Sequence, residues 1–139
     1  MKQITIEEAD RLGIQAIHHE MDNGEKRFRL AAKTGSSYIL TVNGGEAGWQ
    51  KSHVHFQKKE FYVIEKGWVL LVLWEKPREP KVIRLNADDS CLVPANVAHN
   101  LFVSADSVFH TVKYGTTDAD WNGCPELDAW IFEQEETFR

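Results

Sequence analysis

Cysteine is scarce: Cys91 and Cys124 are the only two in 139 residues. Two thiols make no disulfide framework in a chain of this size, and neither has a CxxC partner. Each reads as a free, partly buried thiol rather than a ligand or nucleophile. Long apolar runs are missing too. The most apolar stretch, Trp68 to Trp74, falls far short of a membrane span. The opening Met-Lys-Gln-Ile-Thr-Ile-Glu-Glu lacks the apolar segment of a secretory signal. A cytoplasmic, reducing setting without a membrane partner is therefore expected. No block of Lys or Arg offsets the formal charge of −5, which disfavours a nucleic-acid partner. No repeat, low-complexity tract or Pro/Ser-rich linker divides the chain, so residues 1–139 are expected to form one domain.

What is present reads as a globular β protein. The hydrophobic fraction is 42% and the aromatic fraction 11%, enough for a core. Thr5-Ile-Glu-Glu8 has capping-box spacing, which predicts a short helix over Ile6–Leu12 closed by Gly13. From about Gln15 the apolar period becomes two, broken by turn signals at Asp22-Asn-Gly24, Thr34-Gly-Ser-Ser37 and Asn43-Gly-Gly45. Strands are expected at Phe28–Ala32, Tyr38–Val42, Ser52–Phe56, Phe61–Glu65, Trp68–Trp74, Lys81–Leu85, Ser90–Val93, Ala98–Ser104 and Ser107–Tyr114. Short strands at close, even spacing suggest a barrel or sandwich.

Trp68–Trp74 does not alternate, so both of its faces need cover. A second subunit is the preferred cover, giving a homodimer, with the N-terminal segment or C-terminal tail as alternatives. The tail from Thr116 to Arg139 differs in kind. Asp118–Pro125 reads as an ordered loop leading to a short helix or strand around Leu127–Phe132. Trp121 and Trp130 should pack it onto the barrel, in preference to a lid.

Chemistry concentrates in two places. In Ser52-His-Val-His-Phe56, strand parity projects His53 and His55 to one face, where two imidazoles can share a cation. Glu60 opens the next strand and is expected to face them across an antiparallel ladder. Further on, Asp88 to His99 reads as turn, strand, tight turn and strand. Asn96 stands where a left-handed φ is expected. His99 then offers a third imidazole, and histidines with a carboxylate suit divalent first-row metals.

Gly48-x₄-His53-x-His55-x₄-Glu60-x₆-Gly67 resembles the first motif of the cupin superfamily, and Asp88-x₅-Pro94-x-Asn96-x₂-His99 resembles the second. The resemblance is to the small single-domain cupins. It implies an all-β, double-stranded β-helix (a jelly-roll barrel) with a short N-terminal helix and an ordered C-terminal tail. It also implies that His53, His55, Glu60 and His99 bind an ion such as Zn, Mn, Fe or Ni, with the metal-site core within residues 48–114. Three details depart from the usual pattern. One residue fewer separates the first glycine from the first histidine, Asp88 and Asn96 stand where glycines are usual, and Val103 stands where an asparagine is usual.

Parity from the ligands turns Tyr62, Ile64, Leu101 and Val103 inward, which predicts a largely apolar pocket with Tyr62 as a hydrogen-bond donor. On the strand from Ser107, either Phe109-Thr111-Lys113 or Val108-His110-Val112 faces inward. His110 is thus an acid/base candidate or a surface imidazole, and His18 and His19 are expected to be solvated. Three uses of the site compete on a small-molecule ligand. They are Lewis-acid isomerase or epimerase chemistry on a small oxygenated, sugar-like substrate, Fe- or Mn-dependent dioxygenation, and non-catalytic binding or sensing. The first is preferred.

Overall fold

The computed structural model describes residues 1–115 and 120–138. Helix α1 (Ile6–Arg11) starts where the capping box predicts, with the Thr5 hydroxyl accepting from the Glu8 amide at 3.2 Å. Gly13, at φ +81°, turns the chain out of it. Three antiparallel strands follow: β1 (Ile14–Glu20), β2 (Glu25–Ala32) and β3 (Ser37–Asn43). Then come the short β4 (Gly48–Trp49) and β5 (His53–Val54), the longer β6 (Lys59–Lys66) and β7 (Trp68–Trp74), and β8 (Lys81–Asn86). The chain continues through β9 (Ser90–Val93), β10 (Ala98–Val103), β11 (Val108–Tyr114) and β12 (Asn122–Gly123) to helix α2 (Pro125–Gln134) and a closing 3₁₀ turn.

These strands form two facing sheets, a jelly roll. One runs β1-β2-β3-β11-β6-β9; the other runs β12-β5-β10-β7-β8, with β4 beside β10. Alternation along each strand sends one set of side chains between the sheets. Tyr62, Ile64, Val69, Leu71, Leu101, Val103 and Phe109 pack there as the main core. The parity expected for β6 and β10 is the parity found. Asn96 adopts the left-handed φ expected for it, at 69°, and Asp88, standing where a glycine is usual, and Gly67 do the same at 72° and 76°.

At Val72 and Trp74 the outer face of Trp68–Trp74 is covered by this chain's own tail, an alternative named for it, so that end needs no second subunit. Leu127 and Ile131 of α2 are buried against Val72 and Ala98, with Trp49, Trp74 and Trp130 around them. The reason is local: Pro125 starts a helix, and residues four apart on it meet the non-alternating face of β7. Residues 116–119, including the start of the loop expected over Asp118–Pro125, lie outside the described residues.

Candidate metal centre

His53 and His99 are direct partners across the β5–β10 ladder, and His55 lies two residues beyond His53. Glu60 is not on that ladder. The expected hairpin from His55 to Glu60 is a crossing between sheets: β6 pairs with β11 and β9, while β5 pairs with β10 and β12. Glu60 therefore meets the histidines from the opposite wall of the barrel. One ligand atom from each of His53, His55, Glu60 and His99 falls within 4.8 Å of the others, and all four residues are buried.

Hydrogen bonding defines what this cluster can hold. Nδ1 of His53 donates to the Lys51 carbonyl at 2.9 Å, Nδ1 of His99 to the Val97 carbonyl at 2.9 Å, and Nδ1 of His55 to the Asp120 carbonyl. With the proton held on Nδ1, each neutral ring turns an Nε2 lone pair inward. All three Nε2 atoms gather on one atom, Glu60 Oε1, at 3.2 Å for His53 and 3.3 Å for His99, with His55 closest. Nε2 of His55 and of His99 are buried without a hydrogen-bond donor or acceptor suited to them. Three lone pairs facing a carboxylate oxygen repel one another unless a cation lies among them. The donor set fits a divalent transition metal, with backbone carbonyls fixing each imidazole as in known metal sites.

Electrostatics agree. Without an ion, burial would raise the Glu60 carboxyl, but hydrogen bonds donated by His53, His55 and His99 when their inward nitrogens carry a proton, together with the Lys113 charge, outweigh it and hold the group well below the usual carboxylate range. Burial lowers the His53 imidazole, against the pull of Glu60, which favours the neutral ligand form. Tyr62 donates its hydroxyl proton to Glu60 Oε2. Burial and then the Glu60 charge push the phenol well above its ordinary value, so it stays a donor. Tyr62 thus orients the Glu60 carboxylate.

Asp120, which the strand pattern did not single out, ties the tail to the site. Its carboxylate accepts from the amides of Phe56 (3.0 Å), Gln57 (2.8 Å) and Lys58 (2.9 Å), fixing the crossing between His55 and β6. Nearby, the Asn96 amide donates to the His55 carbonyl at 2.7 Å, so the second motif's turn braces the first. Trp121 stacks on His53, ring centroids 5.5 Å apart.

Above the cluster opens a pocket of about 540 Å³. Ile39, Tyr62 and Phe109 give it an apolar part beside His53 and Glu60, but the rest of its lining is polar, and Ile64, Leu101 and Val103 lie in the core instead. Arg27, Arg29, Thr41, Thr111 and Lys113 line it, correcting the expectation of a largely apolar cavity. The inward set on β11 is Phe109-Thr111-Lys113. His110 faces the other side of the sheet, bonded to the Tyr38 hydroxyl at 2.7 Å and Glu65 at 3.1 Å, and so takes no part in this arrangement. His18 and His19 are exposed on β1, though His19 Nδ1 meets the Arg29 guanidinium at 3.2 Å.

No protein-family model matches the sequence, and no curated protein matches it. Solved structures do. KdgF from Halomonas sp. aligns at TM-score 0.58 and 15% identity over 73% of this chain and 90% of its own. An oxalate decarboxylase variant from Bacillus subtilis aligns at TM-score 0.65 and 11% identity over 86% of this chain. The aligned part is 35% of that enzyme, so this chain corresponds to about a third of its length. A further structure of the same decarboxylase, studied for its Mn(II) centres, aligns at TM-score 0.64 and 10% identity, over 86% of this chain and 35% of its own.

This chain has the cupin fold. The departures noted in its motifs leave the barrel intact. Val103 buries in the cupin core and pairs with Gly48, and Asp88 and Asn96 take up the turn conformations that glycine would otherwise supply.

Proposed function

We propose that this cupin is a metal-dependent isomerase or epimerase acting on a small oxygenated, sugar-like substrate. One observation carries the reading: three inward Nε2 lone pairs and a carboxylate converge, two of those residues, His53 and Glu60, line an open pocket, and an amine stands beside them. His53, His55, Glu60 and His99 would hold a divalent ion, Mn, Fe, Zn or Ni. When bound, the ion supplies Lewis acidity to an oxygen of the substrate. Tyr62 keeps Glu60 oriented. Lys113, whose Nζ lies 3.8 Å from Glu60 Oε1, is the group placed to take a proton from the substrate and return it. Burial lowers this amine, partly opposed by the Glu60 charge, which brings it nearer to the range useful for proton transfer.

The test joins elemental analysis of the purified protein to proton exchange. Metal-loaded protein in D₂O should incorporate deuterium next to the carbonyl of an aldose or ketose without consuming oxygen, and Lys113→Met should slow the exchange by about 10²-fold or more. Substrate-dependent oxygen uptake would overturn the reading in favour of a dioxygenase.

A homodimer is proposed as well, through a different surface from the one expected. The outer face of the large sheet exposes Phe28, Leu30, Tyr38, Val112 and Tyr114, an apolar patch on strands β2, β3 and β11 that suits a two-fold contact. Sedimentation equilibrium checks it; a monomer at micromolar concentration would refute it.

A further inference from the structure

The walls of the pocket say more about the substrate than its floor does. Strand β2 alternates Glu25, Arg27 and Arg29 toward the barrel, and both arginines line the cavity. Register carries them toward the metal centre: Arg29 pairs with Ile39, Ile39 with Thr111, and Thr111 with Tyr62. Lys113 pairs with Glu60 itself. The two guanidinium groups therefore stand on the same inner wall as Lys113 and the edge of the cluster.

Their partners leave charge over. Arg27 is bonded to Glu25 at 2.9 Å, yet its Nε is buried and has no partner among the described residues. The Arg29 guanidinium meets an imidazole, His19, rather than a carboxylate. Burial and the neighbouring Arg27 charge both act against the Arg29 cation, a repulsion that an anion between them would relieve. A divalent ion held by the cluster would add positive charge to the same cavity.

We propose that Arg27 and Arg29, on the inner wall that leads to the metal centre, bind an oxyanion of the substrate, a carboxylate or a phosphate. Guanidinium groups present forked donors to such oxygens. Three strand spacings separate β2 from β6, about 14 Å along the sheet before the barrel's curvature and the reach of the side chains shorten it. The oxyanion is thus several bonds away from the oxygens that face the metal centre. The substrate class is an anionic polyhydroxy compound, a sugar acid or a sugar phosphate. This inference rests on the metal-centred reading given above.

Titration calorimetry on Mn(II)-loaded protein tests it with D-gluconate against sorbitol and D-glucose 6-phosphate against D-glucose. At least one anion should bind about tenfold or more tightly than its uncharged counterpart, the scale of a charge-assisted contact. Which anion does so distinguishes carboxylate from phosphate. Arg29→Gln, which breaks no carboxylate pair, and Arg27→Gln should each remove the advantage, while Lys26→Gln on the opposite face of β2 should keep it. The same samples report Mn(II) content, which the arginine variants should leave unchanged. Equal affinity of both anions and their neutral counterparts would overturn the proposal, as would an advantage that survives both arginine substitutions. Protein that takes up no Mn(II) yet shows the arginine-dependent advantage would instead refute the metal-centred reading and leave the oxyanion site standing.

Discussion

The backbone carbonyl of Asp120 accepts the Nδ1 proton of His55, while the Asp120 carboxylate holds the three amides that follow His55. One residue of the C-terminal tail thereby sets the ring orientation of a ligand and the path of the chain to Glu60. In a metal centre the hydrogen-bond partner of each imidazole governs its tautomer and aim, so the tail is part of the site.

Asp120→Ala removes the carboxylate but keeps the carbonyl. Three buried or part-buried amides lose their acceptor, which should cost about 1–3 kcal/mol of stability. Loosening the crossing should also weaken metal binding by about tenfold or more. Thermal denaturation with and without metal, together with competition against a chelator, reads both effects.

Substitution within the cluster separates charge from shape. His55→Ala deletes an inward lone pair and should weaken metal affinity by more than the roughly 10–100-fold typical of losing a ligand's partner. Glu60→Gln keeps the volume and the contact with Tyr62 but loses the anion, so it should weaken binding less. Metal content after dialysis orders the variants; equal content in wild type and His55→Ala would remove this residue from the ligand set.

Acid should act on the metal-free protein in two steps. His53 has a folded pKa below its unfolded value, so folding favours the neutral ring. The stability this gives is present above about pH 6.5 and is lost as pH falls through the lowered folded value. Glu60 is depressed too, so its contribution holds above about pH 4.5 and is lost at lower pH. Chemical denaturation across pH should therefore show stability declining from near-neutral pH downward, and metal binding should weaken over the upper part of that range because protons compete for the imidazoles.

The cover of β7 by α2 has its own consequence. Leu127 is fully buried against the outer face of the smaller sheet, and Leu127→Ala should destabilise the protein by about 2–5 kcal/mol. A denaturant midpoint measures it. Because only Trp121, β12 and Cys124 separate Asp120 from α2, the same variant should lower metal affinity, whereas a helix that merely caps the barrel would leave it unchanged.

Much of this site is legible in the sequence, because its determinants are local. The spacing of His53 and His55 sets their common face, Asn96 and Asp88 announce left-handed turns, and the period of two on β6 and β10 assigns Tyr62, Ile64, Leu101 and Val103 to the interior. Such features depend on backbone geometry within a few residues. Tertiary structure alone decided the rest. Glu60 reaches the histidines from the facing sheet, Arg27 and Arg29 put charge into a pocket expected to be largely apolar, and Asp120 returns from 65 residues away to hold His55. Nothing in a strand's own pattern says which strand will stand opposite it, because sheet order arises from how the crossings bury apolar faces against one another. The polar residues of β2 look like a solvated face until closure of the barrel turns them toward the metal centre.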